Sequence, residues 1–270
     1  MGRTATQLLD HHIDAMMGMD LQTILSDYSE NLTAITCLDG RTRTMGYDTL
    51  ATLIPKCETI AKKLGLNVEN AIDKLHVLCR QGVGGYAVYL AALKPFSSFA
   101  SFTYIVQEDK AVYVTGFAKT FWMPNLGVEA HPFAPGDETM AVIERHLEHV
   151  RARNAAAMAA DYADDAVILT NFACNPLTGR AGAETFCAEL VAHGDAYIEA
   201  LTGVKSKYKV RQAVAELGCV AFRNRAVKKY GVDTYLVKNG KIVFESAMFS
   251  DNVPVIQYQE PPHEEEKGRQ

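Results

Sequence analysis

Among the six cysteines of this 270-residue chain, no two stand in a C-x-x-C arrangement, and no Cys/His set has the spacing of metal ligands. That excludes the common zinc motifs, and a chain of this size needs no disulfide framework to hold its core. The thiols are expected to be reduced and mostly buried, and the protein cytoplasmic. There is no excess of positive charge: 27 Lys and Arg face 32 Asp and Glu, for a formal net charge of -5 and a pI near 5.9. A general nucleic-acid binder needs basic surface, so that class is set aside. The only basic runs, residues 205–209 and 223–229, read as solvated strand faces. No uncharged apolar run approaches membrane-spanning length, and no basic N-terminal region precedes an apolar one, so neither a membrane span nor a secretory signal is expected. Gly82-Val-Gly-Gly is too short and misplaced for a phosphate loop.

What the chain does contain is an internal repeat with a period of about 130 residues. HIDAMMGMDLQTILSDYSENLTAIT, from His12 to Thr36, is echoed by HLEHVRARNAAAMAADYADDAVILT, from His146 to Thr170. Each has a helix-like stretch, an Asp-Tyr pair (Asp27-Tyr28, Asp161-Tyr162) and an apolar run ending in Thr. The match returns where FTYIVQEDKAV from Phe102 is echoed by DTYLVKNGKIV from Asp233. A period this long is a whole domain, so the chain reads as two copies of one small fold.

Apolar spacing predicts helices over 6–29, with a break at Gly18 and Asp20 as N-cap, and over 47–64. Strands are predicted over 32–37, 76–93, 98–107 and 111–121. Residues 121–137 hold three prolines and two glycines and read as a linker. Helices follow over 139–153, 155–162 and 182–200, and strands over 166–170, 208–215, 219–227, 231–237 and 241–250. Asn239-Gly240 is a strong hairpin turn. The expected division is a first domain over 1–122, a linker over 123–137, a second domain over 138–253, and a disordered charged tail over 254–270 with a solvating role.

The second half, through DYADDAVILT, PLTGR and the segment from Asp233 to Phe249, resembles the nuclear transport factor 2-like superfamily, particularly its SnoaL-like polyketide cyclase and ketosteroid isomerase branches. The first half resembles it more weakly. The resemblance implies an α+β fold of two tandem cone-shaped domains, each with N-terminal helices packed on a strongly curved antiparallel sheet. It also implies that the two copies pair intramolecularly as a built-in dimer; further homo-oligomerisation stays open. In the ketosteroid isomerases a first-helix Tyr and a strand Asp hold the substrate oxyanion, while a second Asp moves the proton. Carried onto this chain, those positions are His146, Asp233 and Thr170. In the first half they are His12, Phe102 and Thr36, a copy without either acid.

Strand alternation puts Tyr235 and Val237 on the face of Asp233, and Phe222, Asn224 and Ala226 inward on the strand before. The resemblance puts Glu245, Ala247 and Phe249 on that face too. The reading is an apolar cavity with Asp233, His146 and Glu245 as catalytic groups. Thr170, Asn224, Tyr235, Phe222, Phe249 and Tyr162 are its substrate-binding residues, with no cofactor and no metal. A carboxyl in such surroundings is harder to ionise, so an acid and an imidazole could exchange protons near neutrality. The implied activity is cofactor-independent acid/base chemistry of isomerase, dehydratase or cyclase type. Its substrate would be a small apolar carbonyl compound such as a polyketide, steroid or terpenoid, with no nucleic acid or membrane partner. A tandem epoxide hydrolase is a further enzyme option. The alternative is a non-catalytic small-molecule-binding or protein-interaction scaffold, favoured by Thr at the usual position of the base.

Overall fold

The computed structural model describes residues 2–18, 20–38, 40–63, 75–93, 98–119, 127, 129–224 and 229–250. The expected linker lies partly outside them, and the expected charged tail wholly outside. So do Arg225 and Ala226.

The first unit begins with α1 (Ala5–Met17), opened by a capping box in which the Thr4 hydroxyl accepts from the Gln7 amide and the Gln7 side chain accepts from the Thr4 amide. α1 stops at Gly18, and α2 (Leu21–Ser26) is capped by Asp20. Then come β1 (Tyr28–Cys37), β2 (Thr42–Met45), α3 (Tyr47–Lys63), β3 (Leu75–Val83), β4 (Tyr86–Leu93), β5 (Ser98–Gln107) and β6 (Lys110–Lys119). The span predicted as one strand over 76–93 is thus two, divided at Gly84, whose φ of 55° suits the turn.

The second unit repeats the plan. Its elements are α4 (Asp137–Arg151), α5 (Ala155–Ala160), β7 (Tyr162–Thr170), β8 (Leu177–Thr178), α6 (Gly179–His193), α7 (Asp195–Thr202), β9 (Ser206–Val214), β10 (Leu217–Asn224), β11 (Lys229–Lys238) and β12 (Lys241–Phe249). The helix predicted over 182–200 is divided at Gly194. β11 and β12 turn at Asn239 and Gly240, both with positive φ.

The sheets share one topology, β2-β1-β6-β5-β4-β3 and β8-β7-β12-β11-β10-β9. This corrects the expected fold class. The sheets are not strongly curved, closed and antiparallel; they are open and mixed. β1 runs parallel to β6 and β7 to β12, and no ladder joins β2 to β3 or β8 to β9 among the described residues. The reason lies on the faces turned away from the helices, which pack against each other. Ile35, Val88, Leu90, Ile105 and Phe117 of the first sheet share one core with Val210, Leu217, Val232, Leu236, Phe244 and Met248 of the second. A sheet that must lay one whole face on another sheet is held open.

Buried hydroxyls cross this seam in matched pairs. Thr103 meets Ser246 at 2.8 Å, and Thr115 meets Thr234 at 2.5 Å. Tyr86 stacks on Phe244 with ring centroids 4.4 Å apart. The tandem units therefore pair within the chain. Among the described residues no helix is long and apolar enough to cross a membrane.

Candidate functional site

The hairpin of β11 and β12 places the acids. Asp233 lies opposite Ala247, and Tyr235 lies opposite Glu245. Residues directly opposite on an antiparallel pair project to the same side. Asp233, Tyr235, Glu245 and Ala247 therefore share the face under the helices. Phe222 of β10 joins them: a Cβ on Gly231 would stand 2.1 Å from the Phe222 ring, so only glycine lets that ring lie across β11. α4 brings His146 to the same layer with Val142, Ile143, Leu147 and Val150.

Both carboxyls are out of water: Asp233 is 0% exposed and Glu245 1%. Tyr197 of α7 donates to Asp233 Oδ2 at 2.7 Å. The Tyr162 hydroxyl donates to Glu245 Oε2. Burial pushes the Asp233 carboxyl well above the usual range, and the Glu245 charge pushes it further, against the opposing influence of the Tyr197 and Tyr235 hydroxyls. Burial also raises Glu245, but the charge of His146 and hydrogen bonding from Tyr162 and Tyr235 oppose the rise. Asp233 Oδ1 has no hydrogen-bond partner among the described residues.

Beside the acids stands a corner organised by Asp161. His146 Nδ1 lies 3.1 Å from Asp161 Oδ2, His149 Nδ1 2.9 Å from the same oxygen, and Arg145 Nε donates to Oδ1 at 2.8 Å. Burial alone would raise this carboxyl; the three partners outweigh burial and hold it at about 2. An ionised carboxylate only accepts, so His146 donates through Nδ1 and its Nε2 is the other ring nitrogen available to the interior. The His146 ring stands edge-on to Tyr162, centroids 5.3 Å apart.

Seven of the nominated residues thus form one buried group: His146, Tyr162, Phe222, Asp233, Tyr235, Glu245 and Phe249. Two others bond to backbone. Thr170 Oγ1 donates to the Ala247 carbonyl at 2.8 Å and accepts from the Phe172 amide. Asn224 Nδ2 donates to the Glu199 carbonyl at 3.0 Å and so ties β10 to α7.

Among the described residues, aromatic rings pack where the apolar hollow is expected. The Tyr197 ring meets Phe172, Phe222 and Phe249 edge-on, with centroids 5.1, 5.7 and 5.5 Å away. An open cleft of about 330 Å³ exists elsewhere, at the seam, lined by Thr44, Phe133, Met140, Arg211 and Val214 among others; none of the nominated residues lines it.

Sequence reasoning missed Tyr197, because a tyrosine inside an amphipathic helix carries no mark of its partner. It also passed over Asp161 as a hub. A signal existed: in both halves the Asp of the Asp-Tyr pair follows a His by fifteen residues, His12 to Asp27 and His146 to Asp161. The first unit builds the same corner. Asp27 accepts from Arg3 and pairs with His11 and His12, and the Tyr28 hydroxyl lies 3.1 Å from His12 Nε2.

No family model matches the chain, and no curated protein matches it. Among solved structures it is similar to one described as "putative ketosteroid isomerase from Kribbella flavida DSM 17836". The two are 16% identical, the match covers 50% of this chain and 90% of that one, and the TM-score is 0.31.

Proposed function

We propose that the second unit is a cofactor-independent acid/base enzyme that enolises a small, largely apolar carbonyl compound. The observation that carries this reading is Asp233 Oδ1, a fully buried carboxyl oxygen with no partner among the described residues, at a place where the first unit has Phe102. An unpaired buried polar atom costs about 1–3 kcal/mol, and Phe102 supports the view that the fold does not need an acid there. A costly group outside the needs of the fold is a candidate for chemistry.

The environments divide the roles. Asp233, raised further, stays neutral and donates a hydrogen bond to the substrate's carbonyl oxygen. Glu245, whose rise is opposed by His146 and two tyrosines, is the carboxylate that takes the α-proton. The enolate gains a hydrogen bond from Asp233 while Glu245–H returns the proton to another carbon, or gives it to a β-hydroxyl that leaves as water. Isomerisation and dehydration both start this way. On this reading a substrate takes the place of the Tyr197 ring, and α7, set between Gly194 and Gly203, moves outward for entry.

The test is exchange of the α-hydrogens of cyclohexanone and 2-tetralone in heavy water, followed by NMR. The natural chain accelerates exchange over buffer; Asp233→Asn and Glu245→Gln lose the acceleration. No acceleration anywhere between about pH 6 and pH 9 sinks the enzyme reading, since a tuned general base works in that range. One observation favours a second reading, a packed scaffold without turnover: the edge-to-face set of Phe172, Tyr197, Phe222 and Phe249 fills the interior as a core would. On that reading neither ketone alters the melting temperature.

A further inference from the structure

One side chain of the first unit reaches the buried group of the second. Gln81, on the outer strand β3, donates through Nε2 to the Ala173 carbonyl at 2.7 Å and accepts through Oε1 from the Thr170 amide at 3.2 Å. Both ends of its amide are used on one short turn, which the Ala173 amide closes by donating to the Thr170 carbonyl at 3.4 Å. That turn ends β7. It also fixes the end of β12. Thr170 Oγ1 donates to the Ala247 carbonyl and accepts from the Phe172 amide, and Asn171 exchanges two hydrogen bonds of 2.9 Å with the Phe249 backbone. The turn carries Phe172, which is 2% exposed and stands edge-on to both Tyr197 and Phe249. Tyr197 in turn donates to Asp233. A continuous run of hydrogen bonds and packed rings thus joins Gln81 to the buried acid, the kind of network through which one position can act on another.

The bridge runs one way. Gln212 holds the place of Gln81 in the second unit. Gln81 lies opposite Val88, two rungs from the Val83–Tyr86 end of its hairpin, and Gln212 lies opposite Cys219, two rungs from the Val214–Leu217 end of its own. Among the described residues Gln212 makes no side-chain hydrogen bond, and it lines the open cleft at the seam. A bridge made in both directions would belong to the pairing of the units. This one is made only toward the unit that carries the acids.

We propose that Gln81 is a positioning residue for the second unit's site: by holding the Thr170–Ala173 turn from the other unit, it keeps Phe172 against Tyr197. It thereby keeps water from Asp233 and fixes the wall on which a substrate packs once α7 has moved. The wall rests on the enolising role argued above; the exclusion of water does not.

Carbon-13 NMR titration of the Asp233 carboxyl in the folded full chain, assigned with Asp233→Asn, tests it in the natural protein, Gln81→Leu and Gln212→Leu. A loss of stability alone leaves a folded-state titration where it was. Releasing the turn lets water reach an acid that burial holds up, so Gln81→Leu should lower the midpoint by about one pH unit or more. Acceleration of α-hydrogen exchange in 2-tetralone should fall roughly ten-fold at saturating ketone, because the reacting groups are then less well placed. Gln212→Leu should change neither. Gln81→Met, closer to glutamine in shape, gives the same readouts should the leucine variant fold poorly. An unchanged midpoint in the Gln81 variants overturns the proposal, as does an equal shift in Gln212→Leu. A lowered midpoint in a chain that never accelerates exchange sustains the role of Gln81 and sinks only the enzyme. Equal acceleration in the natural chain and the Gln81 variants, with the midpoint unmoved, does the reverse.

Discussion

His12, Asp27, Tyr28 and Tyr104 of the first unit hold the same relative places as His146, Asp161, Tyr162 and Tyr235 of the second. The strand register makes the correspondence definite: Tyr104 lies opposite Val114 as Tyr235 lies opposite Glu245, and Phe102 lies opposite Gly116 as Asp233 lies opposite Ala247. The histidine-aspartate-tyrosine corner is thus common to both units, while the two acids occur in one only, replaced by Phe102 and Val114 in the other. A feature in both copies belongs to what each copy needs to fold. A feature in one copy, buried at a cost, belongs to something else. The tyrosine hydroxyl reports the difference. In the first unit it meets His12 Nε2; in the second it donates to Glu245 instead.

The largest expected effect tests the common part. Asp27→Ala and Asp161→Ala each leave a buried histidine and an arginine without their acceptor, and each should cost about 3–5 kcal/mol in urea unfolding, as breaking a buried pair does. Similar losses in the two units sustain the comparison. A loss below about 1 kcal/mol for either would break it, because that corner would then be dispensable.

The next test converts the unlike part. Asp233→Phe and Glu245→Val install the first unit's residues, and Ala247→Gly goes with them, because a Cβ at Gly116 would crowd the Phe102 ring at 3.1 Å. Tyr197→Phe removes the hydroxyl that would lose its acceptor. This fourfold variant should gain about 1–3 kcal/mol of stability by relieving buried, poorly satisfied acids, while α-hydrogen exchange disappears. A loss of stability would mean that the acids hold the second unit together.

Much of this fold is legible in the sequence because it is duplicated. The paired Asp-Tyr segments, Gly18 and Asp20 at the helix break, and the Asn239-Gly240 turn all lie where local chemistry puts them. The open sheets were not legible. Their shape follows from packing between Val88, Phe117, Leu236 and Phe244, which are distant in sequence and look like any strand residues. The acids on one face follow from alternation along β11 and β12. Tyr197 could not be found this way, since its bond to Asp233 joins a helix to a strand thirty-six residues later.

Acid and base limbs of the stability curve sharpen the same contrast. Asp161 is depressed to about 2 from 3.8, so its contribution is present above 3.8 and is lost as pH falls toward 2. Asp27, also lowered, behaves alike. Asp233 and Glu245 are raised, from 3.8 and 4.5, so the stability they contribute is full below those values and is lost as pH rises through their folded-state pKa values. The natural chain should therefore lose stability at both ends of a pH series of urea melts. The fourfold variant should keep the acid limb and lose the descending limb attributable to the two acids.

The smallest effect separates the tyrosines. Tyr28→Phe removes a hydroxyl that meets His12 Nε2 and Tyr104, and should cost about 0.5–1.5 kcal/mol. Tyr162→Phe removes a donor from Glu245, and bonds to charged groups are worth about 1.5–3 kcal/mol, so its cost should grow as pH rises and Glu245 ionises. In the fourfold variant position 245 is valine, and the Tyr162 hydroxyl is free to turn toward His146 as Tyr28 does toward His12. There the cost of Tyr162→Phe should shrink to that of Tyr28→Phe and lose its pH dependence. If it stays larger, Tyr162 has a partner that Tyr28 lacks besides Glu245, and the two corners are less alike than their register implies.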